Sequence, residues 1–302
     1  MLAAFAAAAA LFAATPLPDA IPAEKRPPSH RPARDAWAAL PEADRVRVLE
    51  AYLQRSLPER LVEASRRFLN TPYVISPLGE GHGRDPDPTV RYDAVDCLTF
   101  VEQTVALALA HRPEEVTPLL QELRYGREPR YEDRNHLMEA QWLPNNLRKG
   151  FLRDVTQDYG GRDTVRVSKR LTPAAWQSNL GKALELPADK RVVGEFALDI
   201  IPLDKVVEKA PRIPTGTILV VVREDAPFRV TRITHLGFII QKEDGRTYLR
   251  HAAMSVFQRV VDEELGHFIG RNVKYDKWRV SGVSLYEVHA PSQSPASSAP
   301  TP

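Results

Sequence analysis

The sequence predicts an α+β domain, with helices in its first half and an antiparallel sheet in its last third. Three observations carry that reading. Apolar residues recur at helical spacing between about 42 and 110. Short β-rich runs bounded by turn residues fill the stretch from about 215 to 289. The two kinds of segment are segregated instead of alternating, which disfavours a parallel βαβ sheet. With 302 residues, 43% of them apolar, the chain has ample material for a buried core. Lys and Arg number 41 against 39 Asp and Glu, with no Lys/Arg-dense block, so the charge gives no case for nucleic acid as a partner.

Residues 2–14, LAAFAAAAALFAA, form an apolar run shorter than the roughly 20 residues a bilayer span needs. Length and composition fit a signal-peptide core, although no Lys or Arg precedes it. Residues 1–20 are therefore expected to be a signal peptide, and the protein to be exported, with the periplasm as its compartment. No cysteine follows the run, so no lipid anchor and no stable membrane anchor are expected. Residues 21–36, rich in Pro, Arg and Ala, read as a linker, and 290–302, APSQSPASSAPTP, as a disordered tail. The folded domain is expected over 37–289.

In PEADRVRVLEAYLQRS, Val46, Leu49 and Leu53 fall at helical intervals behind Pro41. LPERLVEASRRFLN continues as a second helix through Leu61, Ala64, Phe68 and Leu69, ending near Asn70 because Pro72 follows. After an irregular segment over 71–95, Leu98, Val101, Val105 and Leu109 mark one face of a third helix. Cys97 falls in its first turn, with Asp96 as N-cap. The segment 111–190 is mixed in character and shows no single periodicity. TGTILVVVRE, HLGFIIQK, TYLRHAAM and GVSLYEVHA then read as strands.

Cys97 is the only cysteine, which excludes an intrachain disulfide. At a helix N-terminus, free N–H groups and the dipole favour a thiolate, and a histidine must share its proton. Of the eight histidines, His30, His82, His111, His267 and His289 lie in linker, turn, charged or terminal segments. His136, His235 and His251 remain. The last two sit on strands 235–241 and 247–253, joined by KEDGR. A two-residue turn would pair His251 with Phe238 and send the imidazoles to opposite faces. A three-residue loop with a left-handed Gly245 would place His251 opposite Gly237. That register puts both histidines on one face, expected to point toward the start of the Cys97 helix. Only this second register supports catalysis. A zinc hydrolase would need an H-E-x-x-H pattern or paired cysteines, and a serine hydrolase G-x-S-x-G; neither occurs.

Taken in order, NTPYVISPLGEG, VDCLTFVE, THLGFII and YLRHAA resemble the motifs of the NlpC superfamily of papain-like cysteine hydrolases. In detail, DCLTFVE and LRYGREPRYEDRNHLMEAQWLPNN (123–146) look like its N-acetylmuramoyl-L-alanine amidase-like branch, over about 60–285, which implies a branch-specific insertion at about 111–190. The resemblance implies a papain-like α+β fold, with the nucleophile at a helix N-terminus packed on an antiparallel sheet. It makes Cys97 the nucleophile, His235 the general base and His251 the residue that orients it. Tyr73 would stand beside the nucleophile and help hold the oxyanion. Arg134, Asn135 and His136 become candidate substrate contacts, with a network that stiffens their loop as the equally weighted alternative. No cofactor and no metal are implied. The implied substrate is peptidoglycan or a muropeptide, cut between the N-acetylmuramoyl group and L-alanine. Two other readings stay open: a stem-peptide endopeptidase cutting after D-glutamate, and a non-catalytic module that binds cell-wall fragments.

Overall fold

Residues 218–222, ILVVV, are apolar at every position because both faces of their strand are covered. Ile218, Val220 and Val222 point into one core, Leu219 and Val221 into another. The computed structural model describes residues 33–291. The expected signal peptide, most of the linker and most of the tail lie outside the described residues. The linker is shorter than expected at its C-terminal end: Asp35 pairs with Arg66, and Ala36 is buried.

The described strands are β1 (Leu152–Asp154), β2 (Val165–Leu171), β3 (Gly194–Pro202), β4 (Ile218–Arg223), β5 (Ile233–Gln241), β6 (Thr247–Ala253), β7 (Arg259–Glu264) and β8 (Val280–Val288). They join in one sheet of order β2-β3-β8-β4-β5-β6-β7, with β1 also on β8, and every pairing is antiparallel. The helices are α1 (Glu42–Tyr52), α2 (Leu57–Arg66), α3 (Cys97–Leu109), α4 (Pro113–Arg124), α5 (Leu143–Arg148), α6 (Thr156–Gly160), α7 (Asn179–Ala183), α8 (Leu203–Lys209) and α9 (Leu265–Val273). Helices α1 to α4 cover one face of the sheet, and α8 and α9 the other. The fold is α+β, with its N-terminal helices packed on a large antiparallel sheet.

The anticipated elements form near their expected bounds, and their caps explain why. Ser56 and Glu59 close a reciprocal capping box on α2, and Asn70 takes a left-handed φ of 69° before Pro72. Asp96 accepts the Thr99 N–H at 2.7 Å and so starts α3 at Cys97. From Thr99 to Ala108 every residue of α3 is buried, so this helix runs inside the molecule. Its Glu102 is neutralised there by Arg124 at 2.7 Å, with the Trp142 indole N–H at 2.9 Å.

The segment 111–190 is woven into the domain more than an insertion would be. Helix α4 joins the main core, and β1 and β2 join the sheet. A satellite core of Tyr131, Leu137, Leu171, Trp176, Leu184 and Val230 stands beside them. Arg232, just before β5, fastens that region to the sheet through a buried pair with Glu139 at 2.6 Å.

Candidate active site

The β5–β6 hairpin sets the geometry of the site. Phe238 pairs with Arg250 and Gln241 with Thr247, while Lys242 N–H bonds Arg246 O at 3.1 Å. The loop is therefore Glu243-Asp244-Gly245, with Gly245 at a φ of 75°. This register puts His251 opposite Gly237 and on the face that carries His235. A Cβ on Gly237 would lie 2.6 Å from the Arg250 carbonyl oxygen and 2.8 Å from His251 Cβ, so only glycine fits. The imidazoles meet, His235 Nε2 to His251 Nδ1, at 2.6 Å. His251 Nε2 continues to Glu263 Oε2 at 3.1 Å. Arg271 clamps that carboxylate with Nε on Oε1 at 2.8 Å and Nη2 on Oε2 at 2.7 Å.

One expectation needs correction. The shared face of the imidazoles is the α9 side, where both rings pack on Phe268 at 5.9 and 5.6 Å between centroids. Leu236 and Phe238 point the other way, into the core beneath α3. The thiol meets β5 from its edge instead. The backbone N–H groups of Leu236, next in sequence to His235, of Leu98 and of Cys97 itself act on the thiol and favour its ionised form. That edge is open because pairing of β5 with β6 stops at Phe238 and Arg250, while on the opposite edge a bulge at Thr234 interrupts β5 against β4. Bulges of this kind re-aim the neighbouring side chain. Among the described residues no hydrogen bond joins Cys97 to His235, and none is made by His235 Nδ1.

The electrostatics also depart from expectation. Burial, reinforced by the adjacent Asp96 carboxylate, outweighs the three N–H groups and pushes the Cys97 thiol up to about 12. A preformed thiolate is thus disfavoured, contrary to the simple helix-dipole argument. Burial lowers both histidines, His235 further by His251, Arg271 and Arg223 and His251 against the pull of Glu263, so both rest neutral. For Glu263, burial works upward, but the hydrogen bonds from His251 and Arg271 prevail and bring it to about 2.

Tyr73 reaches the site on the segment preceding α3. Its N–H bonds Gln258 O, Val74 N–H bonds Val95 O at 3.0 Å, and Ser76 N–H bonds Asp96 Oδ2 at 3.1 Å. The cap of the cysteine helix and the tyrosine loop are one hydrogen-bonded unit. Burial first, then the charges of Cys97 and Asp96, raises the Tyr73 phenol, which keeps its proton and can donate. Among the described residues, no group of His, Cys, Asp and Glu is arranged to hold a metal ion. None of the described helices is long and apolar enough to cross a membrane.

A family model described as AmiA-like, N-acetylmuramoyl-L-alanine amidase-like, matches residues 63–274. The chain belongs to that family. Its fold is similar to that of a Legionella pneumophila protein, with TM-score 0.71 and 22% identity over 82% of this chain and 94% of that one. It is also similar to an N-acetylmuramoyl-L-alanine amidase from Bacteroides uniformis, with TM-score 0.62 and 23% identity over 78% and 99% of the two chains. No curated protein matches.

In this AmiA-like domain the three candidate substrate contacts turn inward. Arg134 pairs with Glu80 at 2.6 Å and Asp85 at 2.8 Å, both buried. Asn135 donates to Leu123 O at 3.2 Å and accepts from Asn145. His136 Nε2 lies 2.7 Å from Tyr131 O, and burial, with Arg134 nearby, lowers it to about 3. These contacts tie the 79–87 and 123–146 loops together. Glu263 and Arg271 escaped the sequence reading, because RVVDEE ends in three acids and looks like a solvated stretch. Its antiparallel pairing, His251 with Val261, sets Glu263 diagonal to His251, so a strand assignment there would have found it.

Proposed function

We propose that this protein is a cysteine amidase of peptidoglycan fragments, releasing the stem peptide from the N-acetylmuramoyl group. The observation that carries the reading is that Leu236, next in the chain to His235 and its hydrogen bond with His251, acts through its backbone on the Cys97 thiol where β5 and β6 part. Cys97 is the nucleophile, and His235 takes its proton as the substrate carbonyl arrives. Bonds missing from an unliganded site commonly tighten in the complex. The N–H groups beside the sulfur and the Tyr73 hydroxyl donate to the oxyanion. The His235 imidazolium then protonates the departing L-alanine nitrogen, leaving a muramoyl thioester that water hydrolyses. Arg134, Asn135 and His136 act by fixing the loops around the cleft. Family membership and the name of the Bacteroides uniformis relative favour amidase over endopeptidase chemistry.

Mass spectrometry of muropeptide digests tests the bond choice. The expected products are an unmodified stem peptide beginning with L-alanine and a peptide-free N-acetylmuramoyl sugar; a stem truncated after D-glutamate would make it an endopeptidase. Uncleaved but bound substrate would make it a binding module. EDTA is expected to leave the rate unchanged, because the nucleophile is a thiol. Export completes the proposal: residues 1 to about 20 are removed and the mature protein is periplasmic, so its N-terminus should fall at 15–25. Recovery of intact Met1 protein solely from cytosol would contradict that.

A further inference from the structure

We infer that Glu263, clamped by Arg271, is a positioning residue that fixes the tautomers of both histidines and leaves His235 Nδ1 as the free base. The inference rests on the proposed roles of Cys97 and His235 and adds how that base is kept in its working form. Both Glu263 oxygens accept from Arg271, which requires a carboxylate that only accepts. His251 Nε2, 3.1 Å from Oε2, must then carry a proton. In a neutral ring that leaves His251 Nδ1 an acceptor. The 2.6 Å contact to His235 Nε2 can then be made only if His235 Nε2 donates. His235 is left with one unprotonated nitrogen, Nδ1. The opposite assignment would set a lone pair of His251 against a carboxylate at 3.1 Å.

The other charges around the pair act in opposite senses. Arg271 on α9 and Arg223 on β4 oppose protonation of His235, while Asp262 on β7 favours it at His251. Asp262 is itself occupied by Arg250 and Lys242. Once His235 has taken the thiol proton, the chain to Glu263 steadies the imidazolium by charge without a second proton transfer.

Two measurements test the inference. In protein labelled with 15N-histidine, imidazole nitrogen shifts should show Nε2–H with unprotonated Nδ1 for both His235 and His251. His235 protonated on Nδ1 in the parent protein would overturn the inference, whether or not the protein hydrolyses anything. Absence of hydrolysis with the expected tautomers would overturn the proposed function alone. In Glu263→Gln, Arg271 takes the amide oxygen and the amide NH2 faces His251, which inverts both tautomers. A folded Glu263→Gln protein should lose about 10²–10⁴-fold in kcat/KM near neutral pH, as wrong-tautomer variants do. That loss should shrink as pH rises, because hydroxide then removes the thiol proton. A loss that stays constant with pH, with unchanged nitrogen shifts, would mean Glu263 only supports the fold.

Discussion

At Cys97 a helix N-terminus and burial act against each other, and burial prevails. The free enzyme therefore holds a thiol, and its proton leaves only when a base is offered. Alkylation of Cys97 by iodoacetamide in the absence of substrate should accelerate steadily from pH 7 to 10, without the acid-side plateau of a preformed ion pair. A plateau beginning near pH 6 would mean that the resting pair is already charged. The same residues set the response of stability to acid. Glu263 is held near 2 in the folded protein against an ordinary value of 4.5, so its contribution is complete above 4.5 and lost as pH falls toward 2. That shift corresponds to on the order of 3 kcal/mol. His235 and His251, depressed in the fold, add to the loss, because below their ordinary value near 6.5 the unfolded chain takes up the protons first. Urea midpoints should therefore fall from pH 6 downward, and by less in Glu263→Gln.

At the scale of elements, a three-residue loop decides whether two histidines can touch. Gly237 is the tightest point of that arrangement. Gly237→Ala should destabilise the protein by about 1–3 kcal/mol through overpacking and lower kcat by displacing His251. Equilibrium unfolding and steady-state rates would check both effects. This element was legible only in part: KEDGR allowed two registers and left both open, and the structure selects the one with a left-handed Gly245. The helix carrying Cys97 was plain, since Asp96 and the spacing of Leu98, Val101 and Val105 mark its start. Strand β7 was not legible. Its acids look solvated until Arg250, Lys242 and Arg271 are seen to pair with them. The face on which the imidazoles lie was also hidden, because the bulge at Thr234 and the early end of the β5–β6 ladder are tertiary outcomes that local pattern does not encode.

On the scale of the whole molecule, the site lies where three layers meet: α3 on one side of the sheet, the β5–β6 edge within it, and α9 on the other. Segment 111–190 is part of that assembly, fastened by the buried Arg232–Glu139 pair and by Arg134 between Glu80 and Asp85. Arg232→Ala should cost about 3–5 kcal/mol, because it strands a buried carboxylate, and should lower Tm by several degrees in calorimetry. A change below 1 kcal/mol would mean that the 111–190 region is only loosely attached. Hydrolysis by this protein depends on one sulfur atom. The most direct test is kcat/KM of purified Cys97→Ala on a muramoyl-peptide substrate, beside the parent protein and with folding verified by circular dichroism. A loss of at least about 10³-fold with the fold intact is predicted; activity within tenfold of the parent would contradict the cysteine mechanism.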